Sequence, residues 1–120
     1  MIRLIPNNNC DNYDMNSEDW DRVWEYVQHI NNELIIPVLN EKDFIETGLY
    51  QGYSFSSQKT KEMYNLLENS IQDGILEQYQ KEYDYQLDLN NYTLFPIDKV
   101  IEFTTFCNYS GGFQVKTHIL

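Results

Sequence analysis

Residues 96–115, PIDKVIEFTTFCNYSGGFQV, change periodicity once, across a pair of glycines. Ile97, Val100, Ile101, Thr104 and Cys107 recur at helical spacing, and Phe103 and Phe106 widen the apolar stripe. Pro96 suits the first helical position, where its missing N–H costs nothing. Beyond Gly111 and Gly112, Phe113, Val115 and Thr117 alternate as strand residues do. Loops that cradle phosphate run from a strand into a helix, because the anion needs free N–H groups at a helix N-terminus. Here the order is reversed, so the glycines face carbonyl ends. The segment Asn108–Gly112 therefore reads as a helix C-cap and turn, since glycine reaches the left-handed conformation without a Cβ clash.

The rest of the chain supplies the elements that such a unit packs against. MIRLI, before Pro6, reads as a short strand, and NNNCDNYDMN as loop chemistry. Asn16 or Ser17 caps a helix over about 17–31, with Glu18, Asp19 and Asp21 in its first turn and Trp20, Val23, Trp24 and Val27 on one face. ELIIPVLNEKDFIETG, broken by Pro37, predicts an irregular connection or a short edge strand. GLYQGYSF predicts a strand or bent hairpin arm. Ser56 or Ser57 caps a helix with Met63, Leu66, Leu67, Ser70 and Ile71 on one face, ending near Gly74. A further helix follows in ILEQYQKEYDYQL, with Ile75, Leu76, Tyr79, Tyr83 and Leu87 on one side. The expected fold class is α+β, about four amphipathic helices packed on a small, mainly antiparallel sheet, in a single domain over residues 1–120.

The closing unit, a Pro-initiated helix running into Ser110-Gly111-Gly112-Phe113, resembles small uncharacterised bacterial proteins that end in a helix–SGGF–strand unit. Those proteins tend to carry a Trp-containing helix near the N-terminus and a helix after a glycine–tyrosine strand. Trp20, Trp24 and Gly52-Tyr53 stand here in comparable order. The resemblance implies architecture and transfers no activity or site.

Charge narrows the function classes. Nineteen Asp and Glu against eight Lys and Arg give a net charge of -11. Such a surface repels nucleic-acid phosphates and anionic lipid, so direct nucleic-acid or membrane binding is disfavoured and a basic partner is favoured. The plainer alternative is that the acidity only keeps the chain in solution. Ten Tyr, six Phe and two Trp make the chain too aromatic for a disordered acidic tail. Cys10 and Cys107 form no CxxC pair, MIRLIPNNN has too short an apolar run for a signal peptide, and no stretch is long enough to span a bilayer, so a cytoplasmic protein with reduced thiols is expected. The wording of the sequence, rich in Asn, Ile, Lys and Glu, suggests a bacterial or phage origin.

Catalytic and metal-binding patterns are weak. His29 and His118 stand in no metal-ligand spacing. Cys107 lies on an apolar helix face, where thiols are inert, and acid around Cys10 disfavours its thiolate. Asp14, Asn16, Glu18 and Glu25 fit a calcium-loop frame, but Asp19 replaces its glycine and the frame overlaps the Trp20–Trp24 helix. No cofactor is expected.

The acids are uneven. One block runs from Asp11 to Glu46, and a second, from Glu62 to Asp88, interleaves Tyr79, Tyr83 and Tyr85 with Glu77, Glu82, Asp84 and Asp88. On a helix, Glu77, Asp84 and Asp88 form one row, and Tyr85 falls on the polar side, opposite Tyr79 and Tyr83. An exposed tyrosine among carboxylates makes a rigid amphipathic contact for Arg or Lys. The competing description is a solvated helix face with core tyrosines. The favoured expectation is a non-enzymatic acidic protein that neutralises a basic protein, in concrete form an immunity protein that plugs a cognate toxin, a nuclease for example. Tyr85, Glu77, Glu82, Asp84 and Asp88 would be its partner-binding residues. The alternatives are a phage anti-defence DNA mimic and a small hydrolase using a carboxylate pair.

Overall fold

The computed structural model describes residues 1–48, 51–85 and 94–117. Among these, five helices and a four-stranded antiparallel sheet make an α+β fold, as the sequence predicts. In chain order they are β1 (Ile2–Pro6), β2 (Tyr13–Met15), α1 (Ser17–Asn32), α2 (Glu41–Gly48), β3 (Gln51–Phe55), α3 (Ser57–Gln72), α4 (Ile75–Tyr85), α5 (Ile97–Tyr109) and β4 (Phe113–Thr117). The strand order is β2-β1-β4-β3, so the first and last strands of the chain form the centre of the sheet. Leu4 faces Val115 and Pro6 faces Phe113 across that central pair.

Alternation assigns the sheet its faces. Ile2, Leu4, Met15, Phe55, Phe113 and Val115 are buried under the helices. On the opposite face Arg3 makes a bidentate pair with Asp14, both bonds 2.8 Å, in register across β1 and β2. The core between sheet and helices is aromatic. Trp20 and Trp24 of α1 stack at 5.2 Å, Trp20 meets Phe103 of α5 edge-on, and Phe103 meets Phe113 of β4 edge-on. Edge-to-face contacts suit rings whose edges are positive and faces negative.

The 110–112 turn is a C-cap, as the order of elements predicts. Ser110 closes α5 with its N–H on the Phe106 carbonyl, and Gly111 and Gly112 follow at φ 66° and 100°. The turn's carbonyls are taken by the chain's own amides: Asn7 N–H donates to the Gly112 carbonyl at 2.9 Å, and Asn8 N–H to that of Ser110 at 3.2 Å.

Four details depart from the sequence reading. Tyr13–Met15, inside the expected loop, is a strand, because β1 offers an edge that pairs it. The expected irregular connection persists only through residue 40, and Glu41–Gly48 is a helix. Its start is a reciprocal cap, Asp43 N–H to Asn40 Oδ1 at 3.0 Å and Asn40 N–H to Asp43 Oδ2 at 2.8 Å. Pro96 is the N-cap rather than the first helical residue, with ψ 72°. Ile75 and Ile101, assigned to apolar faces, are 42% and 47% exposed. The expected helix 17–31 is present, one residue longer, and Ser56 rather than Ser57 caps α3, accepting from Lys59 N–H at 3.1 Å.

Candidate functional site

Helix α4 carries most of the expected site. Gly74, at φ 77°, turns the chain directly out of α3. Leu76 of α4 is buried, while Tyr79 and Tyr83 pack half-buried around Phe95, at 5.0 and 5.4 Å between ring centroids. Tyr26 of α1 closes on the same group, 5.0 Å from Tyr79, and donates its hydroxyl to Ser70 Oγ at 2.7 Å. With one side of α4 fixed inward, the other faces water. Tyr85 is 91% exposed there. Leu87 and Asp88 lie outside the described residues.

The expected carboxylates divide by role. Glu77 is exposed and paired with Lys81 at 3.4 Å, and Glu82 accepts from Gln78 Nε2 at 2.9 Å. Both contacts run along the helix, and the two residues stay exposed to solvent. Asp84 differs. It is half-buried and its Oδ1 accepts the Phe95 backbone N–H at 3.0 Å, so it holds the entry to α5 rather than presenting a free charge. The row Glu77–Asp84–Asp88, expected to be exposed, therefore has an inward-bonded residue at Asp84.

The remaining candidates are placed by their elements. The backbone over 17–32 is helical, with Asn16 Oδ1 accepting from Asp19 N–H at 2.7 Å, which the calcium-loop frame cannot share. Among the described residues no group of three or more His, Cys, Asp or Glu is arranged to hold a metal ion. Cys107 is buried and burial pushes its thiol up, which suppresses the nucleophilic form. Cys10 is half-exposed, and both cysteines are free thiols. His29 packs on Tyr79 at 5.0 Å, and His118 lies outside the described residues. No described helix is long and apolar enough to cross a membrane.

Sequence reasoning missed one feature. Ile35 and Ile36, in the connection after α1, are 101% and 83% exposed. The loop is nevertheless pinned: buried Asn31 donates to the Leu39 carbonyl at 3.0 Å and accepts the Leu39 N–H at 2.9 Å. Buried Leu39 anchors its far end. The signal lay in ELIIPVL, where a proline denies the apolar run the regular structure needed to bury all of it.

Charge pairing completes the site's electrostatics. Arg3, Arg22, Lys59, Lys81 and Lys99, five of the eight basic side chains, pair with carboxylates of the same chain. These pairs engage most of the scarce cations and leave the chain with its surplus of negative charge. Compared with family models, curated proteins and solved structures, the chain gives no match.

Proposed function

We propose that this chain is a non-enzymatic, cytoplasmic binding protein that neutralises a basic protein, in its most concrete form an immunity protein for a toxin. The observation that carries the reading is Tyr85, 91% exposed on a helix whose other tyrosines are packed inward, with Glu77 and Glu82 on the same helix. Exposing a large aromatic ring in water has a cost that burial against a partner removes. Carboxylates around such an anchor attract the Lys and Arg of a nuclease-like cleft, which is positive because it holds phosphates. Asp84 serves this surface by fixing the helix on Phe95, so Glu77 and Glu82 are the steering carboxylates.

The test is capture of the partner from source lysate, followed by kinetics on the purified pair. The captured protein is basic, and Tyr85→Ala raises its dissociation rate roughly tenfold or more without altering the fold, as expected of a desolvated aromatic anchor. An acidic partner, or one indifferent to Tyr85→Ala, contradicts the reading.

A further inference from the structure

The connection between α1 and α2 forms a finger rather than a slack loop. Its tip, Ile35 and Ile36, is exposed while Asn31 and Leu39 lock its base. A cleft lies on each side. One, of about 470 Å³, runs past Pro37, Phe44 and Ile45. The other, of about 200 Å³, runs under Leu34 past His29 and Ile75 and continues into a cleft of about 400 Å³ that reaches Glu82 on α4. The finger is thus continuous with the helix that bears Tyr85.

The electrostatics of this face select what covers it. Glu41 lines the first cleft, and Glu33, Asp73 and Glu82 line the others, with no Lys or Arg among the described lining residues. Glu33 and Asp73 are also the C-cap residues of α1 and α3. A helix C-terminus carries partial negative charge, so a carboxylate there is disfavoured by its own helix. Two helix ends and their two acids converge on one cleft beside an apolar projection.

We infer that the Ile35–Ile36 finger and the acidic clefts beside it form a docking surface for a basic protein segment in which apolar side chains alternate with Lys or Arg. The inference rests on the reading that the partner is basic and adds where on the chain it binds. The isoleucines enter apolar ground on the partner, and its cations sit over Glu33, Asp73 and Glu82. Anionic lipid is repelled by the same acids. Because the finger is held in place before binding, little ordering entropy opposes association.

The test uses short synthetic peptides as probes, titrated into the whole chain and followed by residue-resolved NMR shifts. The set comprises a Leu/Lys peptide, a Ser/Lys peptide of equal charge and a Leu/Glu peptide. The Leu/Lys peptide shifts Ile35, Ile36, Ile75 and Asp73 and binds at least about tenfold more tightly than the Ser/Lys peptide. Ile36→Asp weakens it by roughly tenfold, while Tyr109→Ala, remote on α5, leaves it unchanged. Asp73→Lys raises the melting temperature by a few degrees, about 2–5 °C, yet weakens the Leu/Lys peptide; a residue serving only the fold would not separate the two. If both Lys peptides bind equally and shift residues elsewhere, the finger is overturned and the basic-partner reading stands. If neither binds, the finger is overturned, and the basic-partner reading is decided separately by the captured partner. Sedimentation showing a dimer that Ile36→Asp dissociates would assign the finger to a second copy of this chain and overturn the inference.

Discussion

At the scale of single residues, two adjacent glycines do different work. A Cβ on Gly112 would stand 2.4 Å from Asn7 Nδ2 and 2.7 Å from the Phe55 carbonyl oxygen, besides the strain of φ 100°. A Cβ on Gly111 meets only the Asn8 side chain, at 3.5 Å or more. Gly111→Ala is therefore expected to cost about 1 kcal/mol, the left-handed penalty alone. Gly112→Ala costs more than ~2 kcal/mol, because the Asn7 side chain and the backbone of residues 55–57 must shift. Chemical denaturation of the two variants checks the order, and equal losses would contradict it. The hydroxyl chain of Tyr26, Ser70 and the Leu67 carbonyl is likewise specific: Ser70 Oγ donates to Leu67 at 2.7 Å while accepting from Tyr26. Tyr26→Phe leaves only Ser70's acceptor unused and costs about 1 kcal/mol in the same assay.

At the scale of elements, Asp43 joins three of them. Its carboxylate caps α2, accepts the Tyr53 hydroxyl of β3 at 2.7 Å and meets Lys59 of α3 at 3.0 Å. Burial opposes its charged form, but hydrogen bonds from the Asn40 amide, Tyr53 and Lys59 outweigh it, so its pKa lies below the ordinary value. Tyr53, hydrogen-bonded to that carboxylate, is pushed up to about 12. A carboxylate depressed in the folded state adds stability above its unfolded pKa of about 3.9 and loses it as pH falls through the folded value. Asp43→Asn is therefore expected to lower stability at neutral pH and to flatten the acid-side slope of melting temperature below about pH 4. An unchanged slope would show that the junction is not electrostatically coupled to folding. The same elements show what was legible. α1 was readable because four apolar positions repeat across two turns with a cap in front. α2 was not, since eight residues give too little period and Phe44 is only half-buried. β2 is three residues long and owes its strand form to pairing with Ile2, Arg3 and Leu4, whose partners lie nine or more positions away. Tyr85 was placed correctly by helical angle, whereas the inward hydrogen bond of Asp84 depends on Phe95, a tertiary contact that spacing does not encode. The Ile35–Ile36 finger was hidden for the same reason: its rigidity comes from Asn31 reaching across to Leu39.

At the scale of the whole molecule, closure of the sheet and surplus charge govern behaviour. The central β1–β4 pair joins Ile2 to Thr117, so its formation needs contacts across nearly the whole described chain, and long-range pairings of this kind fold slowly. The net charge of -11 acts on stability and on binding in opposite senses. Within the chain, like charges repel, so raising salt from low to physiological concentration is expected to raise the melting temperature. Between the chain and a basic partner, the same salt screens attraction over a Debye length of about 8–10 Å. The central claim, that the acidity exists to meet a basic protein, is tested most directly by the association rate constant for the captured partner as a function of ionic strength. The account predicts a steep fall, at least about tenfold between low and physiological salt, with a shallower slope for the Glu77→Gln and Glu82→Gln double variant and no loss of folded structure. An association rate that is flat across the same salt range would contradict it and leave the acidic surface as one that only keeps the chain in solution.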